Sequence, residues 1–250
     1  MPAASLTLAP ATFAGVTLVG GGPGDPDLIT VAGLRAVLGA DVVVTDRLAP
    51  VQLLAQLPPS VELIDVAKVP RSRFTAQGDI NALLIDRARS GRSVVRLKGG
   101  DNYVFGRGFE EVLALNEAGV PVRVIPGLSS SIAVPALAGI PVTHRGVVHE
   151  FTVISGHIPP GHPDSLVNWD AVATLKGTLV LLMAVENAGA IATALLAAGR
   201  PAAQPVAVIA DGSLATERVV RTGLGSLATA METEQIRPPA IIVIGDVVDL

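Results

Sequence analysis

The sequence predicts an α/β protein built as two α/β domains, and three observations predict it. Half of the 250 residues are apolar and only 3% are aromatic, a composition that suits Val/Ile strands buried between Ala/Leu helices. Strand-length apolar runs alternate with helix-period patterns along most of the chain. Glycine-rich turns follow two of the early strands, where doubly wound sheets bind ligands.

Residues 1–14, MPAASLTLAPATFA, have no charged leader and no sustained apolar core, so a disordered tail is expected there rather than a secretion signal. The first domain, 15–142, opens with the strand GVTLVG, the helix TVAGLRAVLGA and the strand DVVVT, then VQLLAQL and VELIDVA. INALLIDRARSG is a helix ended by Gly91, SVVRLKGG a strand entering a second glycine turn, FEEVLALNEAG a helix and VPVRVIPG a strand. That rhythm is the rhythm of a parallel sheet. Residues 126–146 mix small residues with Pro126, Pro135 and Pro141 and mark the crossing to the next domain. The second domain, 143–250, carries EFTVISGH, TLVLLMAVENAGAIATALLAAG, QPVAVIADG, TERVVRTGLGSLATAME and PPAIIVIGDVV.

Composition removes several function classes. A formal charge of −4 exerts no pull toward nucleic acid, so no nucleic-acid partner is expected. The lack of cysteine excludes disulfides, thiolate metal sites and cysteine nucleophiles. Apolar runs such as TLVLLMAV fall short of the ~20 residues that span a bilayer, so no membrane partner is expected either. Four histidines without HxxxH or HxH spacing give no metal site.

LVGGGPGDPDLIT, at 18–30, resembles a phosphate loop only superficially. A Walker A loop needs Lys and Ser or Thr after its last glycine, but Gly24 is followed by Asp25 and Pro26. In a dinucleotide fingerprint counted from Gly20 and Gly22, the third glycine would stand at Asp25. Pro23 has no N–H to donate, and Asp25 and Asp27 would repel a phosphate. Two readings stay open: a structural turn in which Asp25 or Asp27 caps the next helix, or a turn whose backbone approaches a neutral or cationic ligand. RLKGGDNYVFGRGFEE, at 96–111, favours the second reading, since it too follows a strand and sets an acid directly after glycines.

VGGGPGDPDLITVAGLRAVLGADVVVTDRL, VVRLKGGDNYVFGRGFEE, VIPGLSSSIAVPALAGIPVTHRG and PPAIIVIGDVV, in that order, resemble the tetrapyrrole methylase family over about residues 16–250. The first stretch marks the wider family, which includes later corrin-pathway methylases and diphthine synthases. GGDNYVFGRG followed by GIPVTHRG is similar to the members that methylate uroporphyrinogen III. The resemblance implies a cytoplasmic homodimer, with a cleft between its two α/β domains for cofactor and substrate. It implies S-adenosylmethionine as methyl donor, S-adenosylhomocysteine as product, and methylation of two pyrrole carbons, via precorrin-1 to precorrin-2, on the way to siroheme or cobalamin. Some members carry a fused dehydrogenase and ferrochelatase domain; none is expected ahead of the methylase here. The alternatives are a sibling acting on a later precorrin or on diphthamide, and a non-catalytic module that binds S-adenosylmethionine or a tetrapyrrole.

By the same resemblance, Pro23, Gly99, Gly100, Asp101, Val104, Ser129, Ser130, Met183, Gly212 and Ala240 are cofactor contacts. Asp46 is a proton acceptor and Lys68 a proton donor. The chemistry gives these types a reason. An electron-rich pyrrole carbon attacks the methyl group, and the cation that forms on the tetrapyrrole must then lose a proton. A carboxylate at a strand end stabilises that cation and accepts the proton. Without the resemblance, Asp46 reads as an ordinary strand-end acid paired with Arg47 or capping the next helix, and Met183 as core filler. Lys68, a weak acid at a pKa of about 10.4, suits a substrate carboxylate as well as a proton. Arg47, Arg71, Arg73, Arg107, His144 and Arg145 are candidates for the substrate's carboxylates. Asn102, Tyr103 and Phe109 depart from the family's usual Pro, Phe and Gly, and Asn102, without a fixed φ, is expected to loosen the second turn.

Overall fold

The computed structural model describes residues 10–67 and 76–250. It divides into two compact units, Met1–Ser129 and Ser130–Leu250. The division falls ahead of the boundary expected at residue 142. Its cause is the helix that follows Ser129: Val134 and Ile140 pack with Val180, Ile209 and Ile241, on a sheet of the second unit.

Among its described residues the first unit has five strands, β1 (Gly15–Gly20), β2 (Val42–Thr45), β3 (Glu62–Asp65), β4 (Ser93–Lys98) and β5 (Val122–Ile125). They form one sheet in the order β3-β2-β4-β1-β5, parallel at every pairing. Four helices connect them: α1 (Val31–Leu38), α2 (Val51–Leu54), α3 (Gln77–Arg89) and α4 (Gly108–Glu117). Side chains alternate across the sheet. Val16, Leu18, Val42, Val44 and Val94 pack with Ile80, Leu84 and Leu115 of α3 and α4. Val19, Val43, Val95 and Leu97 pack on the opposite face with Ala36, Val37 and Leu53 of α1 and α2. A sheet covered on both faces needs strands that are apolar at successive positions, which VVVT and SVVRLK nearly are. Thr30 caps α1 through its Oγ1, which accepts from Gly33 N–H at 3.0 Å.

Residues 10–14 are not the tail expected of them. Ala11 N–H donates to the Arg35 carbonyl at 2.9 Å, and the Phe13 ring lies 4.7 Å from the Arg123 guanidinium carbon. With Phe13 N–H donating to Ser93 Oγ at 3.4 Å, two hydrogen bonds and one cation–π contact tie the segment to α1, β4 and β5.

The second unit has β6 (Phe151–Ser155), β7 (Thr178–Leu182), β8 (Pro205–Ala210), β9 (Arg218–Gly223) and β10 (Ala240–Ile244), in the order β6-β7-β10-β8-β9. Its helices are α5 (Ser130–Leu137), α6 (Trp169–Thr174), α7 (Ala188–Ala197) and α8 (Leu227–Thr233). Only β6 and β7 run parallel; β10 is antiparallel to β7 and β8, and β8 to β9. The link 211–217 is too short for a crossover helix, so β8 and β9 pair as a hairpin. Leu179, Leu181, Val206, Val208, Ile242 and Ile244 face Trp169, Ile191, Leu195 and Leu227, while α5 covers the opposite face.

Candidate active site

Three turns at the carboxyl end of the first sheet, after β1, β4 and β5, pack main chain against main chain. Gly22 N–H donates to the Gly100 carbonyl at 3.2 Å, Gly100 N–H donates back at 2.7 Å, and Gly21 N–H donates to the Lys98 carbonyl at 2.7 Å. A Cβ on Gly20 would stand 2.5 Å from the Gly127 nitrogen, and one on Gly127 only 2.4 Å from the Gly100 oxygen. Only glycine permits that approach. The two turns singled out in the sequence therefore lie side by side, with a third, after β5, sealed to both.

Acidic and polar side chains staple this floor. Asp25 accepts from Asp27 N–H at 2.9 Å and caps the short 3-10 turn Pro26–Leu28, so the next full helix is capped by Thr30 and by neither aspartate. Asp101 Oδ1 accepts from the N–H groups of Tyr103 (2.8 Å) and Val104 (3.2 Å), and its Oδ2 from Gly127 N–H (3.2 Å). Both carboxylate oxygens thus serve the turn. Asn102 does not loosen it. Its side chain is fully buried and Nδ2 donates to the Ile125 carbonyl at 2.8 Å, replacing a proline's fixed φ with a tie to β5. Tyr103 and Phe109, both departures from the family pattern, meet edge to face at 5.9 Å.

Asp46 stands just beyond β2 with its side chain 30% exposed. Its Oδ1 accepts from Leu48 N–H at 3.2 Å, and its Oδ2 from the Arg96 guanidinium at 3.1 Å. The pairing partner is Arg96, not the neighbouring Arg47, whose side chain is exposed. Arg96 Nε donates to Glu111 Oε1 at 3.1 Å; Lys98 Nζ and Gln77 Nε2 reach the same oxygen at 3.3 and 3.2 Å. Glu111 is fully buried, and its Oε2 has no hydrogen-bond partner among the described residues. Burial pushes the Lys98 ammonium below the ordinary lysine range, the Arg96 charge adds to that, and the carboxylates of Glu111 and Asp46 oppose it. Sequence reasoning missed Arg96, Lys98 and Glu111. The available signal was the alternation in SVVRLK, which sets Arg96 and Lys98 on the same face as buried Val94 in the central strand of a two-sided sheet.

The remaining candidates divide. Pro23, Gly99 and Gly100 lie in the joined turns, Val104 is exposed beside them, and Ser129 and Ser130 follow the third turn. Lys68, Arg71 and Arg73 lie outside the described residues. Arg47 and Arg145 are exposed. Arg107 forms a two-pronged pair with Glu110 at 2.8 and 2.6 Å, which holds the exposed Glu110 carboxyl below its ordinary range. His144 belongs to a tight turn, its Nδ1 accepting from Gly146 N–H at 3.2 Å.

In the second unit, Met183 follows β7, Gly212 follows β8 and Ala240 begins the antiparallel β10, so all three lie at one end of that sheet. Met183 is not core filler: it is 47% exposed, with φ of +55°. Asp211 and Ser213, flanking Gly212, also have positive φ, as do Phe105 and Arg107 in the second glycine turn. Every described non-glycine residue of this kind except Gln235 therefore lies beside a candidate contact. Such strain persists where surrounding structure imposes it, and it gathers at functional sites. Gly212 is itself pressed by Val134, whose Cγ1 would lie 2.4 Å from an added Cβ.

Fold and site define an α/β ligand-binding protein whose strand-end turns offer bare backbone, with an ion-paired carboxylate nearby. Residues 15–228 match the tetrapyrrole (corrin/porphyrin) methylases, and the chain belongs to that family. It is 44% identical over 94% of its length, and 92% of the relative's, to the S-adenosyl-L-methionine-dependent uroporphyrinogen III methyltransferase of Methanosarcina barkeri. Among solved structures it resembles uroporphyrin-III C-methyltransferase from Thermus thermophilus complexed with S-adenosylhomocysteine (TM-score 0.78, 40% identity, 93% and 92% of the chains). It also resembles a cobalt precorrin-4 methyltransferase (TM-score 0.85, 28% identity, 95% and 97% of the chains).

Proposed function

We infer that this chain is an S-adenosylmethionine-dependent C-methyltransferase that converts uroporphyrinogen III to precorrin-2 by two successive methylations. The observation that carries the reading is the glycine floor beside Asp46, within a chain 44% identical over 94% of its length to a uroporphyrinogen III methyltransferase. The precorrin-4 enzyme follows the backbone more closely, with a TM-score of 0.85 against 0.78, yet shares 28% of residues against 40%. Substrate choice is made by side chains, so the identity decides between the two.

The residues present fit the donor. A sulfonium carrier without phosphates needs close backbone and no basic loop, and the turn 20–27 supplies glycines, two prolines and two aspartates without Lys or Arg. When bound, the cofactor supplies a methyl group as an electrophile. Pro23, Gly99, Gly100, Asp101, Val104, Ser129, Ser130, Met183, Gly212 and Ala240 are the residues assigned to hold it. Asp46 stabilises the cation formed on the tetrapyrrole and accepts its proton. A carboxylate has about four acceptor sites, and the bonds from Leu48 and Arg96 occupy two, leaving capacity on the exposed side. Lys68, Arg47, Arg71, Arg73, Arg107, His144 and Arg145 are assigned to the substrate's carboxylates and proton supply. The active form is a cytoplasmic homodimer on this reading.

Purified protein, S-adenosylmethionine and anaerobically prepared uroporphyrinogen III should give products heavier by one and then two methyl groups. Cofactor binding with no methylated tetrapyrrole would overturn the substrate assignment.

A further inference from the structure

We propose that Glu111 is a positioning residue for the methyl transfer, orienting the Asp46 carboxylate through Arg96. The proposal rests on the reading of Asp46 given above and adds a residue to it.

The connection is continuous. Glu111, near the start of α4, accepts from Arg96 Nε at 3.1 Å, and Nη2 of the same guanidinium donates to Asp46 Oδ2 at 3.1 Å. Arg96 NH1 is held by the Leu97 carbonyl at 3.0 Å and the Val44 carbonyl at 3.4 Å. The fork is rigid and planar, so fixing one edge fixes the direction of the other. Leu48 N–H holds Oδ1, and Arg96 therefore determines the remaining freedom of the Asp46 carboxylate.

Fold stability does not account for this arrangement. Arg96 and Lys98 occupy the central strand, 3% and 5% exposed, where apolar residues would avoid the cost of desolvating ions. Buried ion clusters are commonly no more stable than well-packed hydrophobic replacements. The cluster is also lopsided, with three donors on Glu111 Oε1 and Oε2 left bare. Among the described residues the cluster has one charged member that is partly exposed, Asp46, since its other partly exposed partner, Gln77, is neutral.

The test is a double-mutant cycle of Glu111→Gln and Asp46→Asn. It is read by anaerobic single-turnover methylation with enzyme in excess, with the active fraction counted by S-adenosylhomocysteine binding. Glu111→Gln should lower the rate per active site about 10- to 100-fold, the scale of a sub-ångström to 1 Å misplacement. The cofactor dissociation constant should stay within about twofold. In the Asp46→Asn background the same substitution should have little further effect, because the group it orients is gone. An undiminished loss in that background would overturn the link through Asp46, and an unchanged rate for Glu111→Gln alone would overturn the role of Glu111. An unchanged rate for Asp46→Asn alone would instead sink the reading of Asp46. If Asp46→Asn yields no product, steady-state constants of Glu111→Gln decide: a fall in kcat with both KM values unchanged supports positioning, and a rise in KM matching the loss overturns it. If Glu111→Gln does not fold, Glu111→Asp, which keeps the charge one methylene short, enters the same cycle with the same expectations.

Discussion

The Asn102 side-chain amide donates to the Ile125 carbonyl at 2.8 Å, joining the turn after β4 to the end of β5. Asn102→Ala would leave that carbonyl and a cavity without compensation, at a cost of about 1–3 kcal/mol. The expected result is a lower denaturation midpoint with weaker S-adenosylhomocysteine binding, read by urea melts and calorimetry. Unchanged affinity in the folded variant would show that the tie supports the fold and not the cofactor turn.

Gly127→Ala and Gly78→Ala should act in opposite directions. At Gly127 the new methyl group meets the Gly100 oxygen at 2.4 Å and the Gly20 carbonyl carbon at 2.5 Å, backbone that has nowhere to go. A loss of several kcal/mol is expected, at the upper end of single substitutions. Gly78 lies in α3 with nothing within 4 Å of an added Cβ, so alanine there should gain about 0.5–1 kcal/mol. Comparable losses at both positions would contradict the steric account of the floor.

Asp46→Ala is expected to leave S-adenosylhomocysteine affinity within about twofold while lowering turnover by about 10²- to 10⁴-fold, the range for a positioned acid or base. Steady-state kinetics under anaerobic conditions measure it. Unaltered turnover would remove Asp46 from the mechanism.

Lys98 makes stability depend on alkaline pH. Burial depresses its pKa, so between the folded value and the unfolded value of about 10.4 the unfolded chain binds more protons. Stability therefore rises with pH through that window, and the penalty for a buried ammonium is fully present below it. Lys98→Met removes the titration. Urea unfolding of both proteins at several pH values up to about 10 should show the wild type gaining on Lys98→Met as pH rises; a flat or falling difference would contradict the depressed value.

Much of the fold was legible because a doubly covered sheet demands what the sequence displays: GVTLVG, VVVT and AIIVI are buried at every position. The antiparallel strands of the second sheet were less legible, because β9, RVVRTG, has no buried position and looks like the approach to a helix. The glycine turns were legible as turns, yet Gly127, the third member of the floor, reads as an ordinary strand-end glycine. Its role exists only because β5 lies beside β1, as β4 does. Glu111 was illegible for a similar reason. An acid in the first turns of a helix is normally solvated and favoured by the helix dipole, and its complete burial depends on Arg96 and Lys98 projecting from a strand it follows in sequence. Asp101 was legible by type and place as a candidate contact, but its duty within the turn was not, since its oxygens accept from Tyr103, Val104 and Gly127 only once the three turns meet.

The contact among Gly20, Gly100 and Gly127 has an evolutionary consequence. A platform made of peptide groups cannot be retuned by exchanging side chains, because every exchange adds bulk that it has no room for. Diversification is thereby directed to the adjoining turn, to positions such as Tyr103, Arg107 and Phe109, where side chains are exposed and substitutions cost the fold little. A chain built this way keeps its peptide platform fixed and has only the side chains around it to vary.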